Sequence, residues 1–118
     1  MKIGLIATYG VKCGIATYTA HLAQQLAKEH EVTIFAEDYL NNKQPDFNSE
    51  PKVIRCFNRN RLSLKLLKAL QIFPCDIVHI QHEYAIFGNL KDELSRLAAE
   101  YKGRTVITLH TIYPQNGV

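Results

Sequence analysis

The sequence predicts an α/β fold: a parallel sheet of about five strands with helices on both faces. Three observations predict it. Short apolar runs alternate with segments of helical period along the whole chain, which is the signature of βαβ units. The last of these runs, RTVITL, has the β-branched composition of a strand buried on both faces. Polar or glycine-bearing clusters close the first, fourth and fifth runs, and an open parallel sheet binds ligands outside the carboxyl ends of its strands.

Taken in order, Lys2 to Thr8 reads as the first strand, and Gly10 and Gly14 punctuate the loop after it. From Ile15 the apolar positions Ile15, Tyr18, Leu22, Ala23 and Leu26 recur at helical spacing as far as Lys28. Glu31 to Ala36 is a second strand. The polar run EDYLNNKQPDFNSEP, Glu37 to Pro51, has neither period and reads as a loop. Val53 to Phe57 is a short third strand. Leu62 to Phe73 is helical by pattern and Pro74 stops it. Its buried stripe is Leu62, Leu66, Leu70 and Phe73, with Leu64 and Leu67 left over on the other side. Asp76 to Gln81 is the fourth strand. Asn89 caps a helix through Leu90, Leu94, Leu97, Ala98 and Tyr101, which Gly103 ends. Arg104 to Leu109 is the fifth strand.

The chain has 118 residues, 47% apolar and 21% charged, which suits one domain with a core and is too short for two full nucleotide-binding domains. A net charge of +3 with no recognisable module makes no case for nucleic acid. The opening MKIGLIATYG holds an apolar run too short for a signal peptide or a membrane span. Cys13, Cys56 and Cys75 are widely spaced and odd in number, which fits reduced thiols in a cytoplasmic protein better than a disulfide framework or zinc.

If the fourth strand lies beside the first, in the order 3-2-1-4-5, three clusters converge: Tyr9 to Gly14, His82 to Gly88, and His110 to Tyr113. In the first, Gly14 stands just before a helix, whose N-terminal N–H groups suit phosphate or carboxylate. Equally, Gly10 and Gly14 can serve only to turn the chain. GxGxxG is absent, but Glu37 or Asp38 stands where a ribose-binding acid would, so a dinucleotide reading survives. In HIQHE, side chains alternate, so His79 and Gln81 point one way while Ile80 and His82 point the other. That makes the histidines poor co-ligands, and no metal site is expected. His79 reads as a core histidine with a hydrogen bond, whereas His82 and Glu83 can face the crevice. His110 is placed either to touch a ligand or to make a turn. From Pro51 to Cys75 there are six basic residues and no acid. Surplus leucines beside Arg59, Arg61, Lys65 and Lys68 suit contact with an anionic membrane surface, and equally with a second layer or a partner.

The run CGIATYTAHLAQQL after the first strand, then DIVHIQHEYAIFG, then VITLHT, in this order and at this spacing, resembles the N-terminal domain of the family 4 (group 1) glycosyltransferases of GT-B fold. The likeness runs from Lys2 to about Tyr113. It implies a Rossmann-like domain on the acceptor side of an enzyme that transfers a sugar from a nucleotide-sugar donor to an acceptor with retention, without a cofactor or catalytic metal. Carried over by motif, Cys13 and Gly14 belong to the loop that approaches the donor phosphates, His110 matches the histidine beside the donor sugar and leaving phosphate, and His82, Glu83 and Tyr84 lie at the substrate-binding cleft wall. Two departures stand out: Cys13 occupies a place where the family has glycine, and so does Ala85. The acidic donor motif of the family's second domain has no counterpart here.

The chain is therefore expected to be the front part of such an enzyme, an excised piece or a truncated gene product whose C-terminal donor-binding domain is missing. It should fold, lack turnover by itself, stay in the cytoplasm or at the membrane surface, and self-associate through an uncovered sheet edge or helix face. The alternatives are a non-catalytic binding or regulatory module of the same fold, or a dinucleotide-binding domain.

Overall fold

A computed structural model describes residues 1–38, 51–58, 64–87 and 91–110, and of Leu64, Tyr84, Ala85 and Lys91 the backbone alone. Its elements are β1 (Lys2–Ala7), α1 (Gly14–Leu26), β2 (Glu31–Glu37), β3 (Lys52–Phe57), α2 (Leu64–Ile72), β4 (Ile77–His82), α3 (Tyr84–Phe87), α4 (Lys91–Glu100) and β5 (Arg104–Leu109). The strands form one five-stranded sheet in the order β3-β2-β1-β4-β5, parallel at every pairing. This is the α/β, Rossmann-like architecture expected from the sequence, and its strand order is the one under which the three clusters converge.

Strand alternation distributes the core to two faces. Ile3 and Leu5 of β1, Val32, Ile34 and Ala36 of β2 and Val53 of β3 pack with Ala23, Leu22 and Leu26 of α1. On the other face Ile6, Phe35, Ile54, Val78 and Ile80 pack with Leu66 and Leu70 of α2, Phe87 of α3, and Leu94 and Leu97 of α4. Helices thus cover both faces, with α1 on one and α2, α3 and α4 on the other. Leu67 lies outside the α2 stripe at 46% exposure, as the wheel implies.

Two readings need correction. The segment after β4 is not all loop: Tyr84–Phe87 makes a turn of helix, its Ile86 and Phe87 N–H groups donating to the Glu83 carbonyl. Four residues are too few to leave a helical period in a sequence. The fifth strand is not buried on both faces: Val106, Ile107 and Leu109 are 41–55% exposed. It pairs only with β4 among the described residues, so a composition suited to the middle of a sheet stands at its edge. The expected roles of Arg59, Arg61, Leu62, Gly88, Asn89, Leu90 and Tyr113, and most of the 37–51 loop, lie outside the described residues, as do the side chains of Leu64, Tyr84 and Ala85.

The end of the sheet opposite the glycine loop is fastened by one tyrosine. The Tyr101 hydroxyl accepts from the Cys75 N–H at 2.9 Å and donates to the Cys75 carbonyl at 3.0 Å, tying the end of α4 to the chain entering β4. Gly103 follows, and a Cβ there would lie 2.7 Å from the carbonyl oxygens of both Cys75 and Asp76. Backbone cannot yield as a side chain would. Gly103→Ala should therefore cost about 1–3 kcal/mol of folding stability, and Tyr101→Phe about 1 kcal/mol through the lost hydrogen bonds. Urea denaturation of both variants beside the parent checks the order and the size.

Candidate functional site

At the carboxyl edge, β1 and β4 are neighbours, but their chains leave in different ways: β1 into α1 on one face, β4 into α3 and α4 on the other. That reversal opens the crevice in which an open α/β sheet binds its ligand. The glycine loop on one side of it is fixed from β3. Arg55 donates through Nη1 to the Glu37 carbonyl at 2.8 Å and through Nη2 to the Tyr9 carbonyl at 3.1 Å. Gly10 has φ of +74°, a conformation that favours glycine, and a Cβ there would meet Arg55 Nη2 at 2.9 Å and press on the guanidinium that holds the loop.

Cys13 is the N-cap of α1. Its φ of −154° is extended backbone that any residue adopts, and its Sγ accepts from the Ala16 N–H at 3.4 Å. A Cβ in place of the family's glycine therefore strains nothing at this position. The N–H groups of Gly14 and Ile15 have no hydrogen-bond partner among the described residues, as first-turn donors do when no cap reaches them. A Cβ built on Gly14 meets nothing within 4 Å. The opening of α1 thus presents unpaired donors and open space, with the helix dipole favouring an anion there.

Across the crevice, the tail of β4 divides as alternation requires. His79 and Gln81 lie on the α1 side, where His79 Nε2 and Thr108 Oγ1 are 2.6 Å apart, and Gln81 Oε1 is 2.8 Å from His110 Nε2. His110 also donates its backbone N–H to the His82 carbonyl at 3.0 Å, and its ring meets the Tyr18 ring edge-on at 5.0 Å. His110, half-buried at the end of β5, thus reaches back over β4 to the second turn of α1. His82 turns the other way: its ring is buried and stacks on Phe87 with 6.0 Å between centroids. Glu83, half-buried, ends β4 and starts α3. The structure therefore brings His110 beside α1 and sends the His82 ring to the opposite face. Glu37 is 1% exposed and accepts a hydrogen bond from the Thr8 hydroxyl at 3.3 Å, which withdraws its carboxylate from any ribose in the crevice.

Two residues of the site escaped the sequence reading. Tyr18 counted only as one of the helix's apolar positions, and Gln81 was noted only for its direction. The spacing HIQHE did say that Gln81 shares a face with His79, but contact with His110 depends on the β4–β5 register, which pairs Gln81 with Thr108. Among the described residues no three His, Cys, Asp or Glu side chains are grouped to hold a metal ion, and no helix is long and apolar enough to cross a membrane.

Burial lowers the pKa of both His79 and His82 below the ordinary histidine value. The charge of nearby His110 lowers His79 further, while at His82 Glu83 pulls up and His110 pushes down. The folded chain then binds fewer protons than the unfolded one just below about pH 6.5, so stability is complete above that pH and is lost as pH falls through the window. Urea midpoints should drop between about pH 7 and 5, and replacing His79 and His82 together by Gln should flatten that slope; an unchanged slope in the double variant would refute the assignment.

The sequence profile of Glycosyltransferase Family 4 matches residues 13–118 of the chain. No curated protein and no solved structure matches it.

Proposed function

Because the chain belongs to glycosyltransferase family 4, we propose that it is the acceptor-side part of a retaining glycosyltransferase that uses a nucleotide-sugar donor. The observation that carries this reading is the meeting of His110 with α1, within two turns of the unpaired N–H groups of Gly14 and Ile15. In sugar transfer the bond from the anomeric carbon to the leaving phosphate breaks, and negative charge grows on that phosphate. Helix N–H groups and an imidazole donor are suited to stabilise it. In this reading Cys13 and Gly14 approach the donor phosphates, and His110 lies against the donor sugar and leaving phosphate. On the substrate side the wall falls to Glu83 in this reading, since the buried His82 ring lies on the opposite face. Turnover by these 118 residues alone is not expected, because they contain no acidic donor motif.

The test is amide-shift NMR with UDP-glucose, GDP-mannose, glucose 1-phosphate and NAD. Shifts at Gly14, Ile15 and His110 with the sugar phosphates, and none with NAD, support the proposal; saturable NAD shifts reaching Glu37 would replace it by a dinucleotide module. Gly14→Ala sharpens the test. With open space at Gly14, alanine should leave stability unchanged or raise it by up to about 1 kcal/mol, while the added methyl obstructs the phosphate and weakens those shifts at least tenfold, roughly 1.4 kcal/mol.

We also propose that the protein works in the cytoplasm, at the membrane surface. Its three cysteines are all free, as a reducing compartment favours. Along α2, Leu67 and Ile72 are 46% and 69% exposed beside exposed Lys65 and Lys68, an apolar and basic combination suited to anionic lipid. Vesicles with phosphatidylserine should bind the chain and pure phosphatidylcholine vesicles should not. Replacing Lys65 and Lys68 together by Gln should weaken binding roughly thirtyfold, at about 1 kcal/mol per lysine. Equal binding to both vesicles would remove this part of the proposal. The self-association expected of the isolated chain would use β5, where Val106, Ile107 and Leu109 stand exposed.

A further inference from the structure

Gln81 is 0% exposed, and among the described residues it is the only buried side-chain amide. Leucine or methionine would fill similar space without burying a polar group, and a buried amide is unfavourable unless its hydrogen bonds are made. Here they are made only in part: Oε1 lies 2.8 Å from His110 Nε2, while the Gln81 Nε2 is buried with no partner among the described residues. Among the described residues the one side-chain partner of this costly group is the imidazole of His110.

We propose that Gln81 is the positioning residue of His110 and fixes which ring nitrogen carries the proton. This rests on the functional reading only for its purpose, not for its geometry. A carbonyl oxygen can only accept, so an Oε1 facing His110 requires the proton on Nε2 and leaves the lone pair of the neutral ring on Nδ1. The opposite amide orientation would set an NH₂ group against Nε2 and require the proton on Nδ1. The tautomer therefore reports the arrangement directly. Being sealed from solvent, Gln81 cannot touch a ligand and acts through the ring. Two further contacts hold that ring in place: the edge of Tyr18 and the His110 backbone N–H to the His82 carbonyl.

The consequence for chemistry is specific. Neutral His110 offers Nδ1 as an acceptor, suited to a sugar hydroxyl. When a proton arrives at Nδ1, both ring nitrogens become donors and the bond to Gln81 survives. The ring can thus gain a charge without turning, which suits a group that meets a neutral hydroxyl before transfer and a phosphate as negative charge develops.

Long-range ¹H–¹⁵N correlation spectra of the histidine rings in the intact chain, recorded where the ring is neutral, test the proposal. The expected result is a His110 proton confined to Nε2 in the parent, a mixture of tautomers in Gln81→Leu, and restoration of the Nε2–H form in Gln81→Glu, whose carboxylate also accepts. A parent ring protonated on Nδ1 would overturn it, as would an unchanged tautomer in a folded Gln81→Leu. Should that variant fail to fold, the parent and Gln81→Glu spectra still decide. Adding UDP-glucose to the same samples separates the two proposals: a fixed Nε2–H ring with no response to the nucleotide-sugar would remove the functional reading and leave the positioning role standing.

Discussion

The carboxyl edge of this molecule depends on one pairing, that of β1 with β4 through Ile3–Ile77, Gly4–Val78, Leu5–His79 and Ile6–Ile80. The two strands are separated by α1, β2, β3 and α2 in sequence, so their contact must be held by the core rather than by a short turn. Leu5, Ile6, Val78 and Ile80 are completely buried at that seam. Because β1 and β4 send their following helices to opposite faces, the pairing creates the crevice and also decides what borders it: the start of α1 on one side, and the end of β5, carried by β4, on the other. A change at the seam would separate α1 from His110 without touching either.

The opposite end of the sheet shows how that seam is held in register. Asp76 accepts the Lys2 N–H on Oδ2, donates its own N–H to the Lys2 carbonyl, and accepts the Arg104 N–H on its carbonyl. One residue therefore joins the starts of β1, β4 and β5, and Tyr101 brings the end of α4 to the adjacent Cys75. A cleft of about 720 Å³ also lies toward this end, between α2 and α4, lined by Leu66, Leu67, Leu70, Leu97 and Tyr101 among others. Its walls are mainly apolar, and it contains neither the helix N-terminus nor His110.

Periodicity and breakers located every strand to within a residue, because alternation between apolar runs and helical stripes is a local property of the chain. The strand order was legible only as a common candidate, because right-handed crossovers leave few arrangements of five parallel strands. Two things were not. Tyr84–Phe87 is too short to show a period, and the exposure of β5 is decided by neighbours that its own composition does not name. In the site, Gly10 and Cys13 could be placed in the loop from sequence, but φ of +74° at Gly10 and the extended backbone at Cys13 needed coordinates. The direction of each β4 side chain followed from parity. Gln81 lay beyond reach because a glutamine in a strand gives no signal of its own; it acquires meaning only when β5 sets His110 against it.

The side chains of HIQHE separate as strand alternation dictates. A stretch with two histidines and a glutamate invites a single cluster of titrating groups, yet the pleat of β4 forbids it. His79 goes to Thr108, His82 to Phe87, and Gln81 to His110. The two histidines that make the motif conspicuous are both held below the ordinary histidine pKa by burial, and so lean toward the neutral form. Such groups serve packing and hydrogen bonding better than ion pairing with a phosphate. Positive potential for the crevice has to come from elsewhere, and the dipole at the start of α1 is suited to supply it. The chemical weight of the motif therefore falls on Gln81, through the imidazole of His110 at the end of the neighbouring strand.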